Sequence, residues 1–400
     1  APRAQTSQRL DMARKPSISS RQGSLRNNGG KLWKIASFKK CGVFVLSMIV
    51  GFHLVDIPHW MVDVVWYQSG VSLETFTPIL TNDITDSWKR NLYEQLDRVQ
   101  RKCGMLCRIN DQKAYQKISK HQPGTNYSTF RLPVDCERLF QMSEIDAADT
   151  TVPYPIPNEI QKYYSLNGMI AIHNINRFED IYLGGKALID VWKKENIERD
   201  KLLLKKGELE GTYGATETTN TMRMLKRHGG LKGKSVLVVG SARPWIETIA
   251  LTLGATSVTT LEYGNIDCDH PQITTMTPDV FRSKYLAGEL QYFDFIIAYS
   301  SLEHSGLGRY GDALNPWGDI LSLARCWCVA ADDSMLMLAV PVGPDSVEFN
   351  GHRVYGNVRY PLLTMNWFQA DGTEDYEDPP HPAFQYPHFF RKVPPFNGIV

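Results

Sequence analysis

The stretch SVLVVGSARPWIETIALTLGA, Ser235 to Ala255, decides the fold of this chain. Its pattern predicts a buried strand, a tight turn that opens on Gly240, and a helix that begins near Pro244. Such a turn places a helix N-terminus, with its unpaired backbone N–H groups, where an anion can bind. This turn has a single glycine, however, where a cofactor-binding turn usually has two or three. The question is whether the turn binds a cofactor or only joins a strand to a helix.

From Lys234 onward, buried strands alternate with helices. The predicted strands are SVLVVG, SVTTLEYG, ITTM, FDFIIAYSS and SMLMLAVPVG, and the predicted helices are Trp245 to Leu253, the segment capped by Thr277 and Pro278, and about Trp317 to Cys328. This alternation predicts an α/β fold: a doubly wound, mostly parallel, Rossmann-like sheet with helices on both faces, preceded by a helical N-terminal region. The proline-rich stretch after Pro379 is expected to be an irregular tail laid over the surface.

The rest of the chain divides by composition. The predicted parts are a basic disordered tail (1–40), a membrane anchor (41–57), a helical stem or satellite region (58–152), a connector with helices (153–230), the Rossmann-like domain (231–375) and a proline-rich tail (376–400). The basic tail is rich in Lys and Arg and has the single acid Asp11, so it cannot bury enough apolar surface to fold alone. The prolines of VPYPIPN set the boundary near residue 153.

The most apolar stretch, Cys41 to Ile57, is close to the lower length limit for a membrane-spanning helix. Lys39 and Lys40 precede it, so the positive-inside rule predicts a signal anchor with the C-terminal domain in the lumen. His53 and Asp56 favour the alternative, a buried amphipathic helix in a cytoplasmic protein, because ionisable groups are costly in hydrocarbon. Both interpretations stay open on the sequence.

Two further features bear on the compartment. Asn126-Tyr127-Ser128 is a glycosylation sequon, which matters only in a lumenal domain. Seven cysteines are too few for a disulfide scaffold, but Cys103, Cys107 and Cys136 could include one bridge in a lumenal setting. Cys103 also closes the apolar stripe of a helix predicted from Asp83 to about Lys120. No partnering Cys or His pair follows at zinc-finger spacing, so no metal site is predicted.

Composition limits the function classes. With 400 residues and 42% apolar composition, the chain can bury a sizeable core. Its formal net charge of +1 provides no overall field for nucleic acid, and none is predicted as a partner. A small-molecule substrate, and a membrane contacted through the N-terminal segment, are the partners that the pattern favours.

Candidate functional residues lie at three predicted strand ends, where ligands collect in a doubly wound sheet. Gly240 and Ser241 follow the first strand, and the second strand ends in Glu262, about 20 residues further on, where an acid can accept the two hydroxyls of a ribose. The segment SSLEH, Ser300 to His304, follows the FDFIIAY strand. Each feature alone also has a structural explanation. Gly240 could serve only a tight turn, Glu262 could be a solvated loop acid, and His304 could be hydrogen-bonded to a neighbouring carbonyl group. Their shared order and spacing favour an adenosine-type cofactor.

These residues resemble a known family. VLVVGSARPW, TLEYG, FDFIIAYSSLEHSGLGRYGD and MLMLAVPVG resemble motifs of the class I S-adenosylmethionine-dependent methyltransferases. More narrowly, LEYGNIDCDHPQITTMTP and FNGHRVYGNVRYPLLTMNW resemble an uncharacterised domain family known among nematode proteins. The resemblance covers about residues 211–372. It implies a methyltransferase-like fold with S-adenosylmethionine as the cofactor.

The resemblance also implies roles for single residues. Gly240 and Ser241 would meet the methionine end of the cofactor and Glu262 the ribose, and the segment from Ser300 to His304 would line the methyl-transfer site. The expected cofactor-binding residues are Gly240, Ser241, Glu262, Tyr263, Ser300, Ser301 and Glu303. His304 is the first candidate for a catalytic base, because an unperturbed imidazole titrates near neutral pH, and Asp312 is the second. His352 and Arg353 are candidates for orienting an anionic substrate, with a strand-edge pair as the alternative.

Three functional hypotheses remain. The first is an S-adenosylmethionine-dependent methyltransferase anchored in a membrane. The second is an inactive domain that keeps the fold as a binding or scaffold module, which is favoured by Arg243, Pro244 and Trp245 where backbone usually approaches the cofactor. The third, a nicotinamide-dependent oxidoreductase, fits the single glycine less well. The first two are distinguished by whether Arg243 to Trp245 fill the cleft or fold away from it.

Overall fold

The computed structural model describes residues 87–107, 131–146, 153–175, 190–370 and 387–394. All of them belong to a single compact unit of the chain that spans residues 62–400. The basic tail, the Cys41 to Ile57 segment and the sequon lie outside the described residues, so the predictions made for them stay predictions. Within the described ranges, no helix combines the length and the apolar character needed to cross a membrane.

The described residues form nine α-helices and twelve strands. The helices are α1 (Ser87–Cys103), α2 (Cys136–Phe140), α3 (Asn158–Tyr164), α4 (Lys194–Lys206), α5 (Ala215–Arg227), α6 (Trp245–Thr252), α7 (Pro278–Leu286), α8 (Gly318–Val329) and α9 (Tyr360–Leu363). The strands are β1 (Ala171–Asn174), β2 (Asp190–Trp192), β3 (Ser235–Val239), β4 (Ser257–Leu261), β5 (Ile266–Cys268), β6 (Ile273–Met276), β7 (Phe293–Tyr299), β8 (Ala330–Ala339), β9 (Ser346–Phe349), β10 (His352–Val354), β11 (Trp367–Gln369) and β12 (Pro387–Lys392). The strands and helices predicted from residue 234 to 339 are all present.

Seven strands form the main sheet, in the order β11-β12-β8-β7-β3-β4-β6. The five strands from β8 to β6 pair in parallel, whereas β12 runs antiparallel to both β8 and β11. The chain therefore proceeds outward from β3 in one direction through β4 and β6, and in the other through β7 and β8. This places the topological switch point between β3 and β7, where ligands of doubly wound sheets bind.

Both faces of the sheet are covered, as a parallel sheet requires. Successive residues of a strand point to opposite faces, and accordingly Val236 and Val238 belong to one buried cluster while Leu237 belongs to the other. The first cluster includes apolar side chains of α4, α5 and α6. The second includes side chains of α1, α3 and α8. The predicted doubly wound arrangement is therefore confirmed for this sheet.

The C-terminal segment differs from the expectation. Residues 387–392 form β12, which lies inside the sheet between β8 and β11, and Phe389 and Phe390 are buried. The expectation of an irregular surface tail is wrong for this segment. Pro387 stands at the first position of the strand, where a missing N–H is tolerated, and the apolar run that follows supplies the buried side chains.

The helical segments before residue 170 share the core of the sheet. Leu96 of α1, Ile160 of α3 and Leu237 of β3 lie in one hydrophobic cluster. A disulfide also joins Cys136 of α2 to Cys328 of α8, and a second joins Cys103 to Cys107. Residues on both sides of the expected boundary near residue 153 thus pack together, because the apolar stripe of α1 is buried against this cluster.

Candidate functional site

A cleft of about 220 Å³ opens at the switch point, at the carboxyl ends of β3, β4 and β7. Its lining brings together most of the residues predicted from the sequence: Gly240, Ser241, Glu262, Tyr263, Ser300, Ser301, His304 and Asp312. The other three predicted residues, Glu303, His352 and Arg353, do not line it. Parallel strands end at one edge of the sheet, so residues far apart in sequence meet there.

Gly240 is required by the packing of the turn. Its φ of 75° is in the left-handed region that favours glycine, and a Cβ atom there would lie 2.3 Å from the Cβ of Ser301. The Ser301 hydroxyl in turn donates to the carbonyl of Val239 at 2.7 Å, which holds the end of β7 against the end of β3. The single glycine of the turn is thus explained by the contact between two strand ends, without any ligand.

The turn is held by Glu262 at the end of β4. Its Oε2 accepts the backbone N–H of Ser241 at 2.8 Å, and its Oε1 accepts the N–H of Tyr263 at 2.7 Å. Burial raises the pKa of Glu262, and three backbone N–H donors, those of Ser241, Tyr263 and Gly264, act in the opposite direction. A carboxylate has about four acceptor positions. Glu262 therefore holds the turn and keeps about one acceptor position.

Arg243 and Trp245, which stand where a cofactor-binding turn usually has glycines, lie in different surroundings. Arg243 is exposed and does not line the cleft, whereas Trp245, the first residue of α6, is buried and lines it. Trp245 packs against Tyr299, with ring centroids 5.1 Å apart, and against Tyr213 at 6.0 Å. The three rings make one aromatic wall of the cleft and leave its volume open.

Glu247 on α6 is a buried acid that sequence reasoning missed. Its Oε1 accepts the Thr260 hydroxyl at 2.8 Å, and its Oε2 lies 3.1 Å from the Ser241 hydroxyl, whose own partner is the Arg243 carbonyl at 2.7 Å. One hydroxyl hydrogen cannot serve both acceptors, so a proton on Glu247 completes the network. Burial raises the pKa of Glu247 to about 7, in agreement with this arrangement. An acid on the apolar face of the WIETIALT helix is the signal that could have revealed it.

Ser300 begins the loop that follows β7. Its φ of 49° is unusual for a residue with a side chain. Its N–H donates to the carbonyl of Ala339 at 2.8 Å, and its hydroxyl donates to Oε1 of Glu303 at 2.7 Å. Glu303 is completely buried below the cleft, and burial raises its pKa to about 7. The loop therefore places a buried acid directly behind a residue that lines the cleft.

His304 does not have the surroundings of an unperturbed imidazole. The imidazole Nδ1 lies 2.7 Å from the carbonyl oxygen of Gly351, which can only accept, so Nδ1 carries the hydrogen. Burial, together with the charge of the neighbouring Arg309, lowers the pKa of His304 to about 3. His304 is thus a neutral imidazole at physiological pH, and it is a weak base in this position.

Asp312 organises the glycine-rich loop. Its Oδ2 accepts the N–H groups of Gly306 at 2.7 Å and Gly308 at 3.2 Å, and its Oδ1 accepts that of Tyr310 at 3.3 Å. Burial raises the pKa of Asp312, and the backbone donors act against this. The side chain is buried and supports the loop GLGRYGD. Its role as a second candidate base stays a prediction.

Arg353 is a structural residue. It is completely buried, and its guanidinium donates to the Ser305 carbonyl at 2.6 Å and to the Asn315 carbonyl at 3.4 Å. The expectation that Arg353 contacts a substrate is therefore wrong, because the side chain does not reach the cleft. His352 lies beside it on β10, with its ring 6.4 Å from that of His304, outside the cleft lining.

An N-terminal segment completes the far side of the cleft. Ile145 and Asp146 line it, and Asp146 pairs with Arg282 of α7 at 2.9 Å and with Arg325 of α8 at 2.5 Å. Arg325 also donates to the Met142 carbonyl at 2.6 Å, so it ties this segment to the sheet domain. Sequence reasoning missed this contribution because it treated residues 58–152 as a satellite region.

Fold and site together define an α/β protein with a cleft at the switch point of a doubly wound sheet. Within it, residues 233–378 match the model of a family described as "Caenorhabditis protein of unknown function, DUF268". The matched range contains β3 to β11 and every residue predicted for the site. The expected resemblance to an uncharacterised nematode family is thereby confirmed. No curated protein matches the chain.

Solved structures similar to this chain have low sequence identity to it. One is 1,6-didemethyltoxoflavin-N1-methyltransferase from Burkholderia thailandensis, with bound 1,6-didemethyltoxoflavin and S-adenosylhomocysteine (14% identity, 62% of this chain and 94% of that chain, TM-score 0.29). Another is a candidate S-adenosylmethionine-dependent methyltransferase from Listeria monocytogenes (11% identity, 44% and 99%, TM-score 0.30). A third is a candidate hemolysin from Lactococcus lactis (18% identity, TM-score 0.26), where the match spans 33% of this chain and 60% of that chain.

Proposed function

We propose that the protein is an S-adenosylmethionine-dependent methyltransferase of small-molecule substrates. The observation that carries the proposal is the position of Glu262: a partly exposed carboxylate at the end of β4, in the cleft of the switch point. An acid at this place in a doubly wound sheet is suited to the two hydroxyls of a ribose. The sequence motifs that resemble class I methyltransferases support the same assignment.

The residues present fit an adenosine-type cofactor. Leu261, Pro278 and Phe281 give the cleft an apolar side next to Glu262, which suits a purine ring. On the opposite side, Ser300 and Ser301 follow β7. Polar groups that would orient a bound cofactor thus lie between apolar walls of the cleft, as in ordinary small-molecule sites. Glu262 would hold the ribose, and the turn at Gly240 and Ser241 would border the methionine portion.

S-adenosylmethionine supplies an activated methyl group on a sulfonium. The contributions of the protein are binding, orientation and proton removal. The aromatic wall of Tyr213, Trp245 and Tyr299 excludes water from one side of the cleft and provides contact area for an acceptor. His304 presents a neutral ring to the same cleft. Its Nδ1 is bonded to Gly351 and its Nε2 lies beside Glu303, so the ring is suited to packing against the methyl acceptor.

The proposal is tested by thermal unfolding of the full chain with S-adenosylmethionine, S-adenosylhomocysteine or NAD. A ligand at a hundred times its dissociation constant stabilises the protein by about 2.7 kcal/mol, which shifts the melting temperature measurably. We expect a shift with the two sulfur nucleotides and none with NAD. A shift with NAD alone would instead support the oxidoreductase hypothesis.

A pair of variants separates ribose binding from turn support. Glu262→Ala removes the acceptor of the Ser241 N–H, so it lowers the melting temperature of the unliganded protein as well as the affinity. Glu262→Gln keeps an acceptor for the turn and lowers the affinity with less effect on stability. Glu289→Ala, at an exposed acid outside the cleft, is the matched control and is expected to change neither.

A binding or scaffold module is the second candidate, and one observation favours it. The N–H of Ser241 donates to Glu262, and Gly240 is explained by its contact with Ser301. The turn is thus satisfied by protein groups alone. No thermal shift with any of the three nucleotides at millimolar concentration would favour this module.

We also propose that the described unit lies in an oxidising compartment, behind a membrane anchor at Cys41 to Ile57. The two disulfides, Cys103–Cys107 and Cys136–Cys328, support this placement, since such bonds persist in secreted and lumenal proteins. Alkylation of thiols in protein taken directly from its cells tests the proposal. Modification of these four cysteines without prior reduction would contradict it.

A further inference from the structure

We propose that Tyr213, Trp245 and Tyr299 form a subsite for an organic cation, and that the methyl acceptor carries an alkylammonium group that binds there. The inference rests on the proposed function for the identity of the bound molecule as a methyl acceptor. The three residues are the aromatic wall of the cleft. The electron-rich faces of aromatic rings attract cations, and alkylated ammonium groups are recognised in proteins by sets of such rings.

The three rings form a corner rather than a stack. The ring of Trp245 is inclined by 79° to that of Tyr299 and by 70° to that of Tyr213, with centroid distances of 5.1 and 6.0 Å. The two tyrosine rings are 5.3 Å apart, so each ring contacts both of the others. All three line the cleft, and Tyr213 is 45% exposed. An alkylammonium group placed in this corner would contact more than one ring at once.

Two further contacts hold the corner in place. Gly211 has a left-handed φ of 58°, and a Cβ atom there would lie 3.1 Å from Cε3 of Trp245, so the Gly211 backbone packs against the indole. The hydroxyl of Tyr299 donates to Oε1 of Glu217 on α5 at 2.7 Å. Rings that are already held lose little conformational freedom when a ligand binds. The Glu217 carboxylate also places negative charge behind the Tyr299 ring, which favours a cation on this ring.

The charged side chains of the cleft favour the same class of ligand. Among the described residues that line the cleft, Arg325 is the only arginine or lysine, and it pairs with Asp146 at 2.5 Å. The imidazole of His304 is neutral. Arg309 lies outside this lining, with its guanidinium over the Tyr310 ring at 5.0 Å. The lining also contains three acids, namely Asp146, Glu262 and Asp312. It therefore favours a cationic acceptor over an anionic one.

The test is a calorimetric titration of the full chain, without nucleotide and at constant chloride, with choline and with its uncharged isostere 3,3-dimethylbutan-1-ol. The two molecules share their shape and their hydroxyl group, and they differ in a quaternary nitrogen against a quaternary carbon. We expect choline to bind about tenfold more tightly, because only the cation is attracted by the ring faces. Equal binding of the two molecules, or no binding of choline at millimolar concentration, would overturn the proposal.

Variants locate the cation at the corner. Tyr213→Leu removes one ring and should weaken choline binding about three- to tenfold, whereas Tyr213→Phe keeps the ring and should bind choline as the wild type does. Because Tyr213 is partly exposed, both replacements leave the buried core in place. Tyr292→Leu, at an exposed tyrosine outside the cleft, is the matched control. If Tyr213→Leu binds choline like the wild type, the cation lies elsewhere and the proposal is wrong.

A second set of titrations separates the acceptor from the cofactor, because the sulfonium of S-adenosylmethionine is also an organic cation. The sulfur of S-adenosylhomocysteine is uncharged. If the corner holds the acceptor, Tyr213→Leu should affect the binding of both nucleotides equally, and choline should bind to protein saturated with S-adenosylhomocysteine. A selective loss of S-adenosylmethionine binding, or exclusion of choline by S-adenosylhomocysteine, would overturn the assignment to the acceptor. Binding of choline without binding of either nucleotide would support the cation subsite and contradict the methyltransferase proposal.

Discussion

The two loops that border the cleft are held in opposite ways. The turn after β3 is fixed by Glu262, which accepts backbone N–H groups and is partly exposed in the cleft. The loop after β7 is fixed by Asp312, on whose carboxylate three backbone N–H groups converge, and by Arg353, which is buried among carbonyl groups. Asp312 and Arg353 are buried, so little of either side chain is available to a ligand, whereas Glu262 is partly exposed. The comparison therefore favours Glu262 over Asp312 and Arg353 as a ligand-binding residue.

The strongest test of the comparison concerns the support of the β7 loop. Asp319 pairs with Arg359 at 2.6 Å and lies 3.8 Å from Arg353, and all three side chains are completely buried. Asp319→Ala leaves two buried guanidinium groups without their counter-ion and should cost about 3–5 kcal/mol of unfolding free energy. Urea unfolding measures it. Asp332→Ala, at an exposed acid, is the control, and an equal loss in both variants would contradict the buried role.

A second prediction concerns the contact between the two loops. Gly240→Ala places a Cβ against Ser301 and should cost about 1–3 kcal/mol from overpacking, besides the cost of its left-handed backbone. A double-mutant cycle with Ser301→Gly should recover the overpacking part. If Ser301→Gly gives no recovery, the glycine is not explained by this contact. A role in close approach to a ligand would then gain support.

The third prediction concerns the acid beneath the β3 turn. The pKa of Glu247 is raised in the folded protein, so its protonated form stabilises the fold below pH 4.5, and this contribution is lost as the pH rises to about 7. The slope is at most about 1.4 kcal/mol per pH unit. Glu247→Gln imitates the protonated acid and has an amide donor for Ser241. The unfolding free energy of this variant should therefore not show the decrease that the titration of Glu247 causes in the wild type. Urea unfolding from pH 5 to 8 tests it, and a difference between variant and wild type that is independent of pH would contradict the protonated network.

The smallest expected effect belongs to His304. Because its pKa is lowered to about 3 and Nδ1 is bonded to Gly351, the imidazole should stay neutral from pH 8 to pH 5. Its ring nitrogen shifts, measured by ¹H–¹⁵N NMR and assigned with His304→Asn, should therefore not change over this range. A titration with a midpoint near 6.5 would restore His304 as the candidate base.

The position of the site could be predicted from sequence better than the roles of its residues. Apolar strands ending in Gly240, Glu262 and Ser300 predict the cleft, because parallel strands end at one edge of a sheet. Tyr213 and Asp146 lie in segments that carry no motif, so no local pattern indicated that they reach the same cleft. Residues 387–392 were not predicted as a strand, because the short apolar run in this segment is flanked by prolines on both sides.

The sequence by itself determined the α/β class, the parallel core of the sheet and the place of the cleft, since these follow from local periodicity and from the order of the elements. Only the tertiary structure decided what each polar side chain does. Whether an acid or a histidine serves a ligand depends on which backbone groups it already satisfies and how deeply it is buried. Neither can be read from the neighbouring residues: Arg353, for example, donates to the carbonyl groups of residues about 40 to 50 positions away in the sequence.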